Sequence, residues 1–340
     1  MKYNPSIAHI VYASDDKFAE ILGVSMVSLY ENSRDMEDIV VYILDSGISE
    51  ENKRKLISAC KSYQRRVPVF IPAGNISDRL SMNVAVDRGS LSQYARLFVS
   101  SDLPRDLHRV LYLDCDIIIE QSICELWNLD LQGKTIGALM DAFSKYYRIN
   151  IGLQENDIMF NSGVMLIDLD KWRQSHVEKK VLNFIASKKG RIQQGDQGAL
   201  NAVLSHETHC FEPRFNSVTI FYDFTYKEMM LYRRPPYFYS KEQIKEAVDS
   251  PSLIHFTTSF LSKRAWMEGC KHRYAYEWLR YKEMSPWKET PLWKDNRPEW
   301  KQKGLSIYKR LPKWFAIRIA SFMQVYGRPL INKVKLLLLT

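Results

Sequence analysis

Residues 109–119 read Arg109-Val110-Leu111-Tyr112-Leu113-Asp114-Cys115-Asp116-Ile117-Ile118-Ile119, an apolar strand that runs into two carboxylates and out into a second apolar run. A strand apolar on both faces belongs inside a sheet covered by helices. In such sheets ligands sit beyond the carboxyl ends of the strands, where this run delivers Asp114 and Asp116. Two carboxylates one residue apart on a turning backbone reach one divalent cation, and their hard oxygens suit Mg2+ or Mn2+. Alone the pattern is weak, since about one Asp-x-Asp arises by chance in a chain of this composition. A second one, Asp168-Leu169-Asp170, reads as a strand end followed by a helix cap. Cys115, between the two aspartates, points to the opposite face.

Outward from this segment, short apolar runs alternate with helical spacing, which predicts βαβ units and a largely parallel, Rossmann-like half domain. Strands are expected at 7–14, 38–44 and 67–71, with a helix carrying Phe18, Ile21, Leu22, Met26 and Leu29 and another at 50–64. An irregular stretch at 74–90 precedes a helix containing Gln93 to Leu97. Beyond the aspartates, 136–142 and 160–169 read as strands, Trp172 toward Lys188 as a helix, and Gly195 to Leu200 as a loop entering a short helix. Asp15 and Asp16 close the first strand, so the two acidic pairs share one crevice. Carboxylates there can accept from ribose hydroxyls or a base N–H, and one of the two suits the N-cap of the following helix. His255 follows the apolar Leu253 and Ile254. A lone His after a strand is more often a packed residue than a ligand, but an imidazole beside two carboxylates suits Mn2+. His206 and His209 lack the helical spacing of a zinc site and read as a surface loop.

The chain has 340 residues and a net charge of +9, from 48 Lys plus Arg against 39 Asp plus Glu. Residues 301–340 hold nine of the basic residues and no acidic one, so the first 300 residues are neutral and the tail carries the whole excess. Composition excludes disorder for most of the chain. Five scattered cysteines, without a Cys-x-x-Cys pair, point to a reducing compartment. The first apolar run stops at Asp15, too soon for a secretory signal, and no stretch approaches the roughly 18 residues of a membrane span. A cytoplasmic protein is expected. Residues 266–300 hold five of the eight tryptophans and read as a cap or an acceptor-side surface. A helix over 311–326 would gather Leu311, Trp314, Phe315, Ile319, Phe322, Val325 and Tyr326 on one face, with Lys313, Ala320 and Gln324 opposite. Such a helix suits the interface of an anionic membrane, contacted through residues 305–340; the plain alternative is a helix packed on the body with its cations solvated. No Gly-rich phosphate loop, Walker motif or Ser/His/Asp elbow is present, which removes most ATPase, dehydrogenase and hydrolase readings.

In order, IVYASDD (10–16), LSQYARL (91–97), RVLYLDCDIII (109–119), FNSGVMLIDLDKW (160–172), GDQGALN (195–201) and IHFT (254–257) resemble glycosyltransferase family 8, the glycogenin-like and lipopolysaccharide glucosyl- or galactosyltransferase-like retaining enzymes. The likeness covers about residues 7–267. It implies a GT-A fold, an α/β domain with a mixed sheet over 1–267; in the sequence an aromatic segment at 268–300 and a basic helical tail at 301–340 follow it. It further implies that Asp114, Asp116 and His255 bind Mn2+, with Mg2+ as the alternative, and that the ion bridges the diphosphate of a UDP-sugar. Asp15, with the backbone around Tyr12 and Ala13, would hold the uridine beside Asp16. Arg96, Asp114, Cys115, Asn161, Ser162, Asp196 and Gln197 would surround the donor, with Asp141 near it. Gln197 would face the anomeric carbon, where a neutral amide fits front-face transfer through an oxocarbenium-like state better than a covalent intermediate. The expected acceptor is a glycan or a lipid-linked sugar.

Two departures stand out. Lys263-Arg264-Ala265-Trp266 replaces the commoner Lys-Pro-Trp and comes two residues late, so Lys263 or Arg264 contacts the diphosphate, with Arg264 favoured for its bidentate geometry. Lys17 stands where the family often has an amide facing the ribose. A haloacid-dehalogenase-like phosphotransferase also sets Asp-x-Asp after a parallel strand, but Ile117-Ile118-Ile119 follows where it needs Thr or Gly. A polyanion binder driven by the basic tail is the third reading. The neutral body and the lack of a nucleic-acid motif oppose it, and no nucleic-acid partner is expected.

Overall fold

The computed structural model describes residues 3–80, 84, 91–295 and 297–337. Four strands, β1 (Ile7–Ser14), β2 (Asp38–Asp45), β3 (Val69–Pro72) and β4 (Arg109–Leu113), are parallel and lie in the order β3-β2-β1-β4. Helices α1 (Ala19–Asn32) and α2 (Glu50–Ser62) supply the long crossovers that parallel pairing needs. At Asp114 the chain leaves this sheet, and β5 (Ile117–Ile119) begins a smaller one. It returns as β6 (Ile136–Met140) and β7 (Phe160–Asp168), where β7 runs antiparallel to both β4 and β6, and β8 (Thr208–Cys210) adds the far edge parallel to β6. The result is a seven-stranded mixed sheet, β3-β2-β1-β4-β7-β6-β8, beside a three-stranded sheet in which β5 pairs with β10 (Leu253–His255) and β10 with β9 (Ser217–Val218).

Burial explains the strand pattern. Every residue of β4 except Arg109 is buried, as is all of β5, so helices or the second sheet cover both faces. Several local expectations need correction. The segment around Gln93–Leu97 is a 3-10 helix, Ser92–Phe98, with the buried Arg96 side chain donating back to the Gln93 carbonyl at 3.0 Å. The long helix expected from Trp172 is two, Leu169–Gln174 and Val177–Ser187, broken where His176 takes a left-handed φ of 52°. His209 sits in edge strand β8 rather than in a loop, and His206 lies on the short helix before it. The irregular stretch at 74–90 contains a helix, Ile76–Leu80, and most of the rest of it lies outside the described residues.

The aromatic segment is divided: three of its tryptophans lie in the core, whereas Trp300 is 70% exposed. Trp266, Trp278 and Trp287 are at most 4% exposed and share one cluster with β1, α1 and β5. Helix Ala275–Glu283 packs on α1, where Lys282 forms a buried ion pair with Glu20 and also donates to the Trp287 carbonyl at 2.7 Å. The tail forms three helices, Glu299–Arg310, Lys313–Phe322 and Arg328–Leu337, the last two joined by a π-helical turn, Met323–Gly327. Its faces differ from a uniform 3.6-residue wheel. Ala316, Ile317, Ser321, Gln324 and Val325 face the body and are buried, whereas Trp314, Phe315, Ile319 and Phe322 stay exposed. Gln324, expected on the polar side, is satisfied inside by Tyr147 and Tyr232, and Ser321 donates to the Leu231 carbonyl at 2.6 Å. The π turn changes the angular step per residue, which is why Val325 and the apolar stripe part company.

Candidate active site

The Asp-x-Asp turn joins the two sheets. On one side, β4 ends beside β7, and the Asp114 N–H donates to the Gly163 carbonyl at 2.7 Å. On the other, β5 pairs antiparallel with β10 so that His255 stands opposite Ile117, and the Phe256 N–H donates to the Asp116 carbonyl at 2.9 Å. Pairing therefore brings the imidazole to the second aspartate. His255 Nε2 is 3.1 Å from Asp116 Oδ1 and 3.7 Å from Asp114 Oδ2. One ligand atom from each of the three residues falls within 4.8 Å of the other two.

Three features suit this cluster to a divalent cation. Asn216 Oδ1 lies 3.0 Å from His255 Nδ1, where it accepts the ring proton and leaves Nε2 as the lone-pair nitrogen facing the carboxylates. Asn216 is held in turn by donating to Asn161 Oδ1, which also accepts from the Gly163 N–H, both at 3.0 Å. Gly163 leaves room, because a Cβ there would lie 2.2 Å from the imidazole and 2.9 Å from Asp114 Oδ2. The donor set of two carboxylates and one imidazole is that of a borderline ion such as Mn2+.

Two arginines flank the cluster. Arg96, 5% exposed, donates to Asp114 Oδ1 at 2.7 Å and to the Ser162 carbonyl at 2.9 Å, and pairs with Asp196 at 3.0 Å. Burial alone would lower its pKa, but the charges of Asp114 and Asp196 outweigh that and hold the guanidinium firmly protonated. Arg264 donates to Asp116 Oδ2 and to the Thr258 hydroxyl, while Lys263 is turned away, held by the Glu268 carbonyl at 2.8 Å and by Asp295 at 3.5 Å. The loop carrying Arg264 is tied down by Asp223, which accepts from the hydroxyls of Ser259 and Ser262.

Behind the cluster, Gln197 near the start of helix Gly195–Leu204 accepts from the Ser162 N–H at 3.3 Å and donates to Asp141 Oδ2 at 3.4 Å. Burial raises the Asp141 pKa, with Arg233, Asn161 and Gln197 acting against it. At the end of β1, Asp15 caps the following turn through the Phe18 N–H at 3.1 Å, and Asp16 accepts from the Ser49 N–H and the Asn52 amide, both at 2.8 Å. Tyr12 is fully buried, with its hydroxyl on Ser25. Cys115 is core-facing, its thiol donating to the Ala13 carbonyl at 3.3 Å and pushed up in pKa by burial. The second Asp-x-Asp is structural: Asp168 caps a helix through the Lys171 N–H at 2.9 Å, and Asp170 pairs with His108 at 3.0 Å.

A carboxylate pair at the turn from a Rossmann-like sheet into a second small sheet is the plan of the GT-A glycosyltransferases. The sequence profile of glycosyl transferase family 8 matches residues 9–267, and the chain belongs to that family. General stress protein A of Bacillus subtilis (strain 168) is 28% identical over 286 residues, covering 83% of this chain and 95% of that protein. Lipopolysaccharide 1,2-glucosyltransferase of Escherichia coli (strain K12) is 25% identical over 307 residues, covering 89% and 83%. Galactosyltransferase LgtC, solved with donor and acceptor sugar analogues, matches with a TM-score of 0.69 and 26% identity over 87% of this chain and 99% of that one. Sequence reasoning missed Asn216 and Asp223. A hint to the first is the tripeptide Phe-Asn-Ser, at 160–162 and again at 215–217.

Proposed function

We propose that this glycosyltransferase is a Mn2+-dependent, retaining hexosyltransferase that moves glucose or galactose from a UDP-sugar to a glycan or glycolipid in cell-surface polysaccharide or lipopolysaccharide assembly. The observation that carries the reading is the Asp114, Asp116 and His255 cluster with Arg264 at its edge. The names of two similar proteins, a lipopolysaccharide glucosyltransferase and a galactosyltransferase, support the donor class.

Asp114, Asp116 and His255 would hold the ion, which when bound neutralises diphosphate charge and favours departure of UDP. Arg264 is placed to exchange its contact with Asp116 for the diphosphate, adding a bidentate cation to the leaving group. Asp15 and the backbone at Tyr12 and Ala13 would receive the uridine. Arg96 fixes Asp114 and Asp196 and so shapes the wall against the donor hexose. Around that wall the carboxylates are engaged: Asp196 pairs with Arg96 and Asp141 contacts Gln197. A neutral Gln197 amide facing the anomeric carbon then favours front-face transfer, in which the developing oxocarbenium charge is met by fixed dipoles rather than by a covalent bond.

The tail supports a peripheral site of action on the inner face of the membrane. No helix among the described residues is long and apolar enough to cross a membrane. Exposed Trp314, Phe315, Phe322 and Leu330 instead share the tail surface with exposed Lys309, Arg310 and Arg328, the composition of an interfacial anchor for anionic lipid. The donor reading is tested without an acceptor, by incubating the enzyme with a panel of UDP-sugars with and without Mn2+ and measuring UDP. Slow metal-dependent hydrolysis of UDP-glucose or UDP-galactose is expected; hydrolysis of neither, in a folded protein, would overturn the assignment.

A further inference from the structure

A cavity of about 590 Å3 opens from Asp141, Asn161 and Gln197 and runs outward between the body and the tail helices. Its inner end is polar and lies where the donor hexose is proposed to sit. Beyond that end the walls become apolar, with Phe224 and Leu305 buried, Tyr308 partly buried, and Ile307, Ile319 and Met323 exposed. Arg233 and the exposed Arg328 also line it. Thr257, Thr258, Ser259, Arg297 and Gln324 line it as well and offer a sugar hydrogen-bond partners, whereas the tail-side wall of Leu305, Ile307, Leu311, Ile319 and Met323 offers none. That wall suits hydrocarbon.

The tail helices that form one wall of the cavity also carry exposed apolar side chains. Among the described residues, ten of the sixteen large hydrophobic side chains that are exposed lie between Trp300 and Val334. Ile307, Ile319 and Met323 belong to both sets, so the apolar lining is continuous with the exposed face. Exposed Lys309, Arg310 and Arg318 lie on the same helices, while Lys313 pairs with Glu228 at 2.7 Å.

We propose that this cavity is the entry groove for a membrane glycolipid acceptor whose sugar is joined directly to its hydrocarbon. The sugar reaches the polar inner end, and the first methylenes lie along Phe224, Leu305, Tyr308 and Ile319 while the remainder stays in the bilayer under the tail. This rests on the glycosyltransferase reading above and narrows its acceptor to a sugar close to its lipid. A sugar carried far from its anchor by a long glycan would have no use for these walls.

The test uses full-length protein with Mn2+ and UDP and three kinds of photoreactive probe, each below its micelle concentration. These are octyl glucoside, galactoside and lactoside with a diazirine at the chain end; the matching methyl glycosides with a diazirine on the aglycone; and a sugar-free octyl diazirine. Adducts are mapped by peptide mass spectrometry. The octyl glycosides are expected to label Phe224, Leu305 or Tyr308 at least about 10-fold more than the methyl glycosides, as the loss of several methylene contacts demands. Ile319→Asp, at a half-exposed position that folding tolerates, should cut this labelling at least about five-fold. Labelling confined to Trp314, Phe322 or Leu330, equal labelling by the sugar-free probe, or no labelling would overturn the groove. UDP-sugar hydrolysis by the same protein preparation, assayed separately with Mn2+ and without added UDP, separates the two levels: its absence refutes the donor reading, whereas its presence with outer-face labelling refutes the groove alone.

Discussion

Asn216 separates metal binding from the ligands themselves. Its side chain fixes the His255 ring through Nδ1, at 3.0 Å, while Nε2 faces the carboxylates. Asn216→Ala should weaken Mn2+ binding about 10- to 100-fold, measured by electron paramagnetic resonance on protein whose melting curve shows it folded. Unchanged affinity would mean that His255 is not oriented through Nδ1. Glu120 gives a test by pH. Partial burial pushes its carboxyl up to about 7, with Glu277 adding to the rise and Tyr281 and Arg280 opposing it. The folded state holds this proton more tightly than the unfolded state, whose value is near 4.5, so stability contributed below pH 4.5 is lost as pH rises through about 7. Glu120→Gln should therefore flatten the stability profile between these limits and raise stability at pH 8 by about 1–2 kcal/mol once solvent screening is allowed for. A parallel wild-type and mutant profile would contradict it. At this scale the sequence made Asp114 and Asp116 legible because an apolar strand delivers them to a ligand-binding edge. Asn216 was not legible: it lies 39 residues before His255, and only the pairing of β9 with β10 brings the two together.

The element with the most unexpected packing is the aromatic segment after His255, which completes the core through α1. Gly23 on α1 is the contact point, since a Cβ there would fall 2.1 Å from the Trp287 ring. Gly23→Ala should cost about 1–3 kcal/mol by overpacking despite better helix propensity. Gly304 on the tail helix is the control, with nothing within 4 Å of an added Cβ, and Gly304→Ala should gain about 0.5–1 kcal/mol. Chemical denaturation of the two variants decides the matter, and a neutral Gly23→Ala would return the segment to the surface. Buried strands were readable because apolar runs bounded by polar turns have few alternatives, so β1, β2 and β4 stand where their patterns put them. Breaks were not readable. The left-handed His176, the 3-10 turn at Ser92–Phe98 and the π turn at Met323–Gly327 interrupt the regular step per residue, and a periodic wheel carries no signal for them.

For the whole molecule, the +9 charge belongs to a tail that packs on the body by one face and leaves its apolar stripe and cations outward. Lys309→Gln with Arg310→Gln should weaken binding to vesicles of anionic phospholipid by about 30-fold, at about 1 kcal/mol for each cation. Sedimentation would show it, and equal binding by the double variant would remove these two cations from the interface. The two sheets, meeting at the Asp-x-Asp turn, carry the larger claim that the chain positions a divalent ion against the diphosphate of a sugar donor. The most direct measurement is the initial rate of UDP release from UDP-glucose and UDP-galactose as Mn2+ is titrated, for the wild type and for Asp116→Asn. The prediction is saturable Mn2+-dependent release by the wild type and loss of at least about 100-fold in the variant, with unchanged circular dichroism. Wild-type-like release by Asp116→Asn, or release indifferent to the metal, would contradict it.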